Sequence, residues 1–305
     1  MKPLSTLAQS VRASTTMAID TQFKKMRAEG IDVIGFSVGE PDFPTPERIK
    51  QAGIRAIEAD QTKYTPTPGT LAVRQAVCQR LAEDWGLHYT TDEVVVTGGG
   101  KPVLYTALKA LVNPGDEVIL PAPYWVSYYE LIQMVGGTPV VVETTEENGF
   151  NLTPQQLRQA ITPKTKALIL NSPSNPTGMI YSRQHLEDLA QVCLEADLYV
   201  IADEMYSKLI FDGKEFVSFP TLSEAVKAHT ILVNGASKTY AMTGWRIGFA
   251  AASREIIQVM NNYLSHSLSG TCSIAQAAAA EAFGGPQEEI EAMRQAFETR
   301  RNYLY

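Results

Sequence analysis

"HTILVNGASKTYAMTGWRIGF", residues 229–249, runs from a short apolar segment straight into small residues, a lysine and, eight positions later, an arginine. The segment His229 to Val233 reads as a strand. Gly235, Ala236 and Ser237 then lead to Lys238, and Arg246 follows between Trp245 and Ile247. Lysine ordinarily sits in solvent. One at the end of an apolar strand among small residues calls for a chemical reason.

The same arrangement recurs along the chain. "EVVVT" (93–97), "DEVILP" (116–121), "TPVVVET" (138–144), "KALILN" (166–171) and "LYVIAD" (198–203) are short runs dense in Val, Ile and Leu. Amphipathic stretches such as "KPVLYTALKALV" (101–112) and "SRQHLEDLAQVCLEA" (182–196) lie between them. Runs of this kind suit strands buried on both faces, and the alternation predicts an α/β fold with a mostly parallel sheet and crossover helices. Polar residues gather where the strands finish: Gly98 to Lys101, Ser172 to Gly178, Asp203 with Tyr206, and Ser237 with Lys238. Open α/β sheets bind ligands beyond the carboxyl ends of their strands, so these four ends predict one composite site.

Composition sets the outer limits. The chain has 305 residues, 45% hydrophobic and 19% charged, with a net charge of −7. That balance gives no overall attraction to nucleic acid. Three scattered cysteines without a CxxC pair, and only four histidines, argue against a metal site. The N-terminal stretch lacks the apolar core of a signal peptide, and no run of eighteen apolar residues is present. The expectation is a cytoplasmic protein with no membrane partner.

Three parts are expected. Residues 1–44 read as an N-terminal arm and small-domain segment, with a helix over 17–30 and the Gly/Pro-rich loop "GFSVGEPDFPTP". Residues 45–285 form the large ligand-binding domain. Residues 286–305 read as an interdomain helix, with Ile290, Met293 and Phe297 on one face. This helix ends at Tyr305 without a stop signal, which predicts that it leads toward an incomplete small domain.

Taken singly, each polar residue has an ordinary reading. Lys238 could be a surface lysine, Asp203 a helix cap, Tyr206 and Trp125 core aromatics, Tyr64 a turn residue, and Gly98 to Gly100 a strand-to-helix turn. Taken together they suggest more. A desolvated lysine forms Schiff bases with aldehydes, and a buried aspartate needs a cation or donor, such as a protonated pyridine nitrogen. Tyr206 and Asn175 could hydrogen-bond a phenolic oxygen. Backbone N–H groups after Gly99 and Gly100, with Ser237 and Arg246, could cup a phosphate. The glycine run is not GxGxxG, so a nicotinamide-dependent dehydrogenase is disfavoured, and it would leave Lys238 unexplained.

"SKTYAMTGWRIG", "NSPSNPTG", "ADEMYSKLIF" and "SVGEPDFPTP" occur in this one chain. Together they resemble the class I/II aminotransferases, pyridoxal-phosphate enzymes of fold type I, and within them the bacterial and plastid-type aspartate and prephenate aminotransferase subgroup. The resemblance spans residues 5 to 305. It implies a seven-stranded sheet and a homodimer with shared active sites. Lys238 would carry pyridoxal 5'-phosphate and serve as the acid/base of the proton shift. Asp203 would pair with the ring nitrogen, Tyr206 and Asn175 with the phenolic oxygen, and Trp125 would stack on the ring. Gly99, Gly100, the backbone of Lys101, Ser237 and Arg246 would bind the phosphate, joined by Tyr64 of the neighbouring copy.

For the substrate, the resemblance places Gly39, Lys101, Trp125 and Asn175 around the amino acid. Lys101 would meet a distal carboxylate; a lysine in the first turn of a helix is otherwise slightly disfavoured. The implied reaction is transamination between aspartate or glutamate and 2-oxoglutarate or oxaloacetate. The family's arginine for the α-carboxylate belongs to a segment beyond Tyr305, which predicts impaired turnover for this chain alone. The alternatives are a catalytically silent cofactor binder and an aminotransferase of another specificity, such as prephenate.

Overall fold

The computed structural model describes residues 2–36 and 38–304. Ser37 of the "SVGEPDFPTP" motif and the terminal Tyr305 lie outside the described residues. The centre is one seven-stranded sheet. Its strands are β1 (Val94–Thr97), β2 (Glu117–Ala122), β3 (Thr138–Glu143), β4 (Thr165–Asn171), β5 (Tyr199–Asp203), β6 (Thr230–Gly235) and β7 (Gly248–Ala251), in the order β1-β7-β6-β5-β4-β2-β3. Only β7 runs antiparallel, to both β1 and β6; the pairs from β6 to β3 are parallel.

The alternation of side chains across a strand sorts the apolar residues onto two faces. Val95, Ile201, Ile231 and Val233 pack on helices Gly100–Leu111, Ser127–Met134 and Arg254–Ser267. Val94, Val96 and Leu232 face helices Leu71–Trp85 and Ser273–Gly284. Val200 and Ala202 meet helices Arg183–Glu195 and Glu224–Ala228 on the same side. Both faces are covered, so the sheet's ligand-accessible part is its rim.

Two strands depart from the expectation. β3 is not buried on both faces: it is the sheet's edge, and its residues from Thr138 to Glu143 are half-buried or exposed. β7, "GFAA", is too short and too poor in branched residues to stand out by pattern. It exists because the chain folds back beside β6, in register Val233 with Ala250 and Asn234 with Phe249.

The helix expected over 17–30 forms at Thr15–Ala28, capped by the Ser14 side chain, which accepts from the Met17 N–H. The last helix, Glu288–Leu304, buries Ile290 and Met293 in the core built by helices Leu71–Trp85 and Ser273–Gly284. Its Phe297 meets Phe43 edge to face at 5.3 Å. Arg300 pairs with Asp42 at 2.6 Å. The final helix is thereby tied to the loop that carries Gly39 and Glu40. No helix among the described residues is long and apolar enough to cross a membrane.

Candidate active site

Asp203 and Lys238 come from neighbouring strand ends. β5 delivers Asp203 opposite Val233 of β6, and β6 runs on into the short helix Ala236–Thr239 that carries Lys238. Asp203 is 4% exposed. Its Oδ1 accepts the Met205 N–H at 3.2 Å and its Oδ2 accepts the Tyr128 hydroxyl at 2.8 Å. Burial pushes its carboxyl up to about 6, against the pull of those two donors. Among the described residues Asp203 has no cationic partner within ion-pair range, so its charge is left for something else to neutralise.

Lys238 Nζ donates to the Gly39 carbonyl and lies 5.9 Å from the centre of the Tyr206 ring. Desolvation lowers its pKa, Arg246 lowers it further, and Glu40 works against both. A shift in this direction favours the neutral amine, the form that acts as a nucleophile or base. Tyr206 is pushed up to about 12, by burial first and by Asp203 second. The Asn175 amide donates to the Tyr206 hydroxyl at 3.4 Å. Asn171 holds this corner together: its Oδ1 accepts the Asn175 N–H at 2.7 Å and its amide donates to the Asp203 carbonyl at 2.9 Å.

The glycine turn after β1 packs against Arg246. Gly99 has φ +107°, a left-handed value, and a Cβ there would strike the Arg246 guanidinium. Gly248, at the start of β7, admits no side chain either, because a Cβ would lie 2.6 Å from the Gly100 nitrogen. Backbone and guanidinium are thus pressed together at the N-terminus of helix Gly100–Leu111. N–H groups, a helix dipole and a cation converge there. Arg246 takes one anchor inside the chain, donating from Nη1 to the Thr243 carbonyl at 2.9 Å. Ser237 is buried next to Lys238.

Lys101 stands over the Trp125 ring, 5.0 Å from its centre. Desolvation lowers its pKa and the like charge of Arg246 lowers it again. Lys101, Arg246 and Lys238 therefore form a set of cations in which Arg246 repels each lysine, and Glu40 is the acid that acts on Lys238. Such a set is stabilised when anions enter it.

Tyr64 is the outlier among the expected residues. It is fully exposed on the loop before helix Leu71–Trp85, with no hydrogen bond to the rest of the site among the described residues. Two residues at the rim were not expected from the sequence. Tyr128, fully buried, holds Asp203 and packs edge to face on Trp125 at 5.4 Å. Glu204, 2% exposed, accepts the Ser218 hydroxyl at 2.7 Å and the Phe219 N–H at 2.8 Å, and burial raises it to about 8. Trp125 precedes helix Ser127–Met134, so no helical spacing in the sequence links Tyr128 to it. Nothing in "ADEMY" announces that the carboxylate after Asp203 is buried.

The family model for aminotransferase class I and II matches residues 31–305. An aspartate aminotransferase of Bacillus sp. (strain YM-2) is 48% identical over 302 residues, covering 99% of this chain and 77% of that one. An aspartate/prephenate aminotransferase of Cereibacter sphaeroides is 47% identical, covering 99% and 76%. The solved structure of the Thermus thermophilus aspartate aminotransferase with maleate superposes with a TM-score of 0.95 at 41% identity, covering all of this chain and 79% of that one. With the family model spanning nine-tenths of the sequence, this chain belongs to the class I and II aminotransferases.

Proposed function

We propose that this aminotransferase holds pyridoxal 5'-phosphate at the strand-end rim and moves amino groups between aspartate and a 2-oxo acid such as 2-oxoglutarate. The observation that carries the cofactor reading is the buried Asp203 carboxylate without a cation, beside a desolvated Lys238 on the short helix that continues the next strand. A protonated pyridine nitrogen would supply the missing positive charge, and an aldehyde would suit the desolvated amine. The cradle at Gly99, with Arg246 packed against it, fits a phosphate. When bound, this cofactor supplies a ring that withdraws electrons from the Cα of the amino acid.

The chain's own groups do the rest. Lys238 Nζ would be the covalent attachment point and, when released, the acid/base that takes the proton from the substrate Cα and delivers it across the 1,3-proton shift that transamination requires. Asp203 would hold the proton on the ring nitrogen. Tyr206 and Asn175 present a hydroxyl and an amide to the phenolic oxygen, while Trp125 and the loop at Gly39 limit how the ring and substrate lie. Gly99, Gly100, the Lys101 backbone, Ser237 and Arg246 would fix the phosphate end.

Lys101 supports an acidic substrate, since its crowded, partly desolvated ammonium gains from a second carboxylate. Relatives whose names include aspartate point the same way. Lys101→Gln should raise KM for aspartate about 10–100-fold, the range for losing a charge-assisted bond, and leave a neutral amino acid nearly unaffected. Steady-state assays with both donors and 2-oxoglutarate measure this. Equal effects on the two donors, or transfer from the neutral one alone, would reject the acidic specificity.

Two further assignments belong to the same reading. The fully exposed Tyr64 would complete the phosphate site of a second copy in a homodimer. A groove of about 530 Å³ between helices Glu47–Glu58 and Ser273–Gly284, lined by Ala52, Ala56, Ala277 and Ala280, is a surface that copy could cover. A reducing cytoplasm suits the three free cysteines; burial raises Cys78 to about 11 and Cys193 to about 12.

A further inference from the structure

We propose that Tyr128 is a positioning residue of this site. Its hydroxyl fixes the Asp203 carboxylate and its ring fixes Trp125, so one buried side chain sets both the charge partner and the stacking surface for the cofactor ring. The inference rests on the pyridoxal-phosphate reading given above and adds a residue that this reading does not use.

The geometry carries it. Tyr128 is 2% exposed and lies at the start of helix Ser127–Met134, locked in the core with Leu131 and Ile132. From that rigid base its hydroxyl donates to Asp203 Oδ2 at 2.8 Å, while the Met205 N–H occupies Oδ1 at 3.2 Å. The last torsion of an aspartate is broad and roughly two-fold. One donor on each oxygen, from two different elements, removes that freedom and leaves the remaining lone pairs in a defined direction. The same Tyr128 ring meets Trp125 at an interplanar angle of 90°.

The electrostatic surroundings make the hydroxyl consequential. The titratable groups that act with Asp203 are Tyr128 from helix Ser127–Met134, and Glu204 and Tyr206 from its own segment. Asn171 of β4 reaches only its backbone carbonyl, and the β6 residue opposite, Val233, is apolar. No neighbouring cation therefore replaces the hydroxyl if it is lost. Burial and Asp203 hold the Tyr128 phenol well above its ordinary value, so it stays a donor wherever Asp203 is ionised.

Tyr128→Phe keeps the ring and the packing and removes only this donor. In apoprotein carrying ¹³C-labelled aspartate, the Asp203 carboxylate should titrate near 6 in the parent chain and at least about one unit higher in Tyr128→Phe, because an anion loses a donor. Pyridoxal phosphate, titrated by absorbance at neutral pH, should bind Tyr128→Phe about tenfold more weakly, the equivalent of that unit. In an Asp203→Asn background the same change should have little effect on binding. A merely structural role would weaken binding equally in both backgrounds and leave the Asp203 midpoint in place; either result overturns the proposal. Failure of the parent apoprotein to bind pyridoxal phosphate would instead reject the cofactor reading, and the midpoint would still decide the role of Tyr128.

Discussion

The strand-end rim and the N-terminal arm invert the usual rule of burial in opposite directions. At the rim, polar side chains are buried: Asp203, Glu204, Ser207, Asn234, Ser237 and Thr239 are all less than a tenth exposed. In the arm, apolar side chains are exposed: Leu4, Leu7, Met17, Ile19, Ile34 and Phe36 lie largely in solvent, and Asp20 is the one buried residue among those described from 2 to 42. Both arrangements are unfavourable for a chain by itself. The rim survives because seven strands and two helical layers hold it, and its polar groups satisfy one another, as in the Asn234 amide donating to Ser207 at 3.0 Å. The arm has no such scaffold. Its surface is intelligible as the partner of something apolar, which the proposed second copy would supply.

The contrast can be broken by making the same kind of cut in both regions. Ile231→Ala, under the rim in β6, should cost about 2–5 kcal/mol, the range for emptying a fully buried branched side chain. Phe36→Ala, at 90% exposed, should change the stability of the isolated chain by no more than about 0.5 kcal/mol. Urea unfolding of both variants checks this. A large loss at Phe36 in the monomer would mean that the arm packs on the chain itself.

A smaller effect sharpens the account of the rim. Glu204 has its carboxyl raised to about 8, so the folded state holds this proton more tightly than the unfolded chain. Its contribution is fully present below the ordinary glutamate range and is lost as pH rises through about 8. Glu204→Gln keeps an acceptor for the Phe219 N–H and a partner for the Ser218 hydroxyl without the charge. The variant should therefore melt a few degrees above the parent at pH 9, with the gain shrinking at pH 5. Scanning calorimetry at the two pH values measures it. A gain independent of pH would show that burial of this charge is not the cause.

Much of this organisation is legible in the sequence. Six strands announce themselves as Val/Ile/Leu runs, and the polar residues that follow them mark the rim before any coordinates. β7 escapes because "GFAA" has one large side chain, and its strand character comes from pairing with β1 and β6. β3 reads as buried because its composition matches its neighbours, while only sheet order makes it an edge. At the site, Lys238, Asp203 and Arg246 are legible as charges placed where charges are costly. Tyr128 and Glu204 are not, because a tyrosine in an aromatic run and a glutamate in a loop look ordinary until burial and partners are known.

The central claim is that the rim is built to hold pyridoxal phosphate through Lys238. The direct test is to add pyridoxal phosphate to the purified protein, reduce with borohydride, digest, and locate the added mass. The account predicts a visible absorption band before reduction, a single pyridoxyl group on the peptide carrying Lys238, and neither in Lys238→Ala. No band, or label spread over surface lysines with Lys238 unmodified, would contradict it.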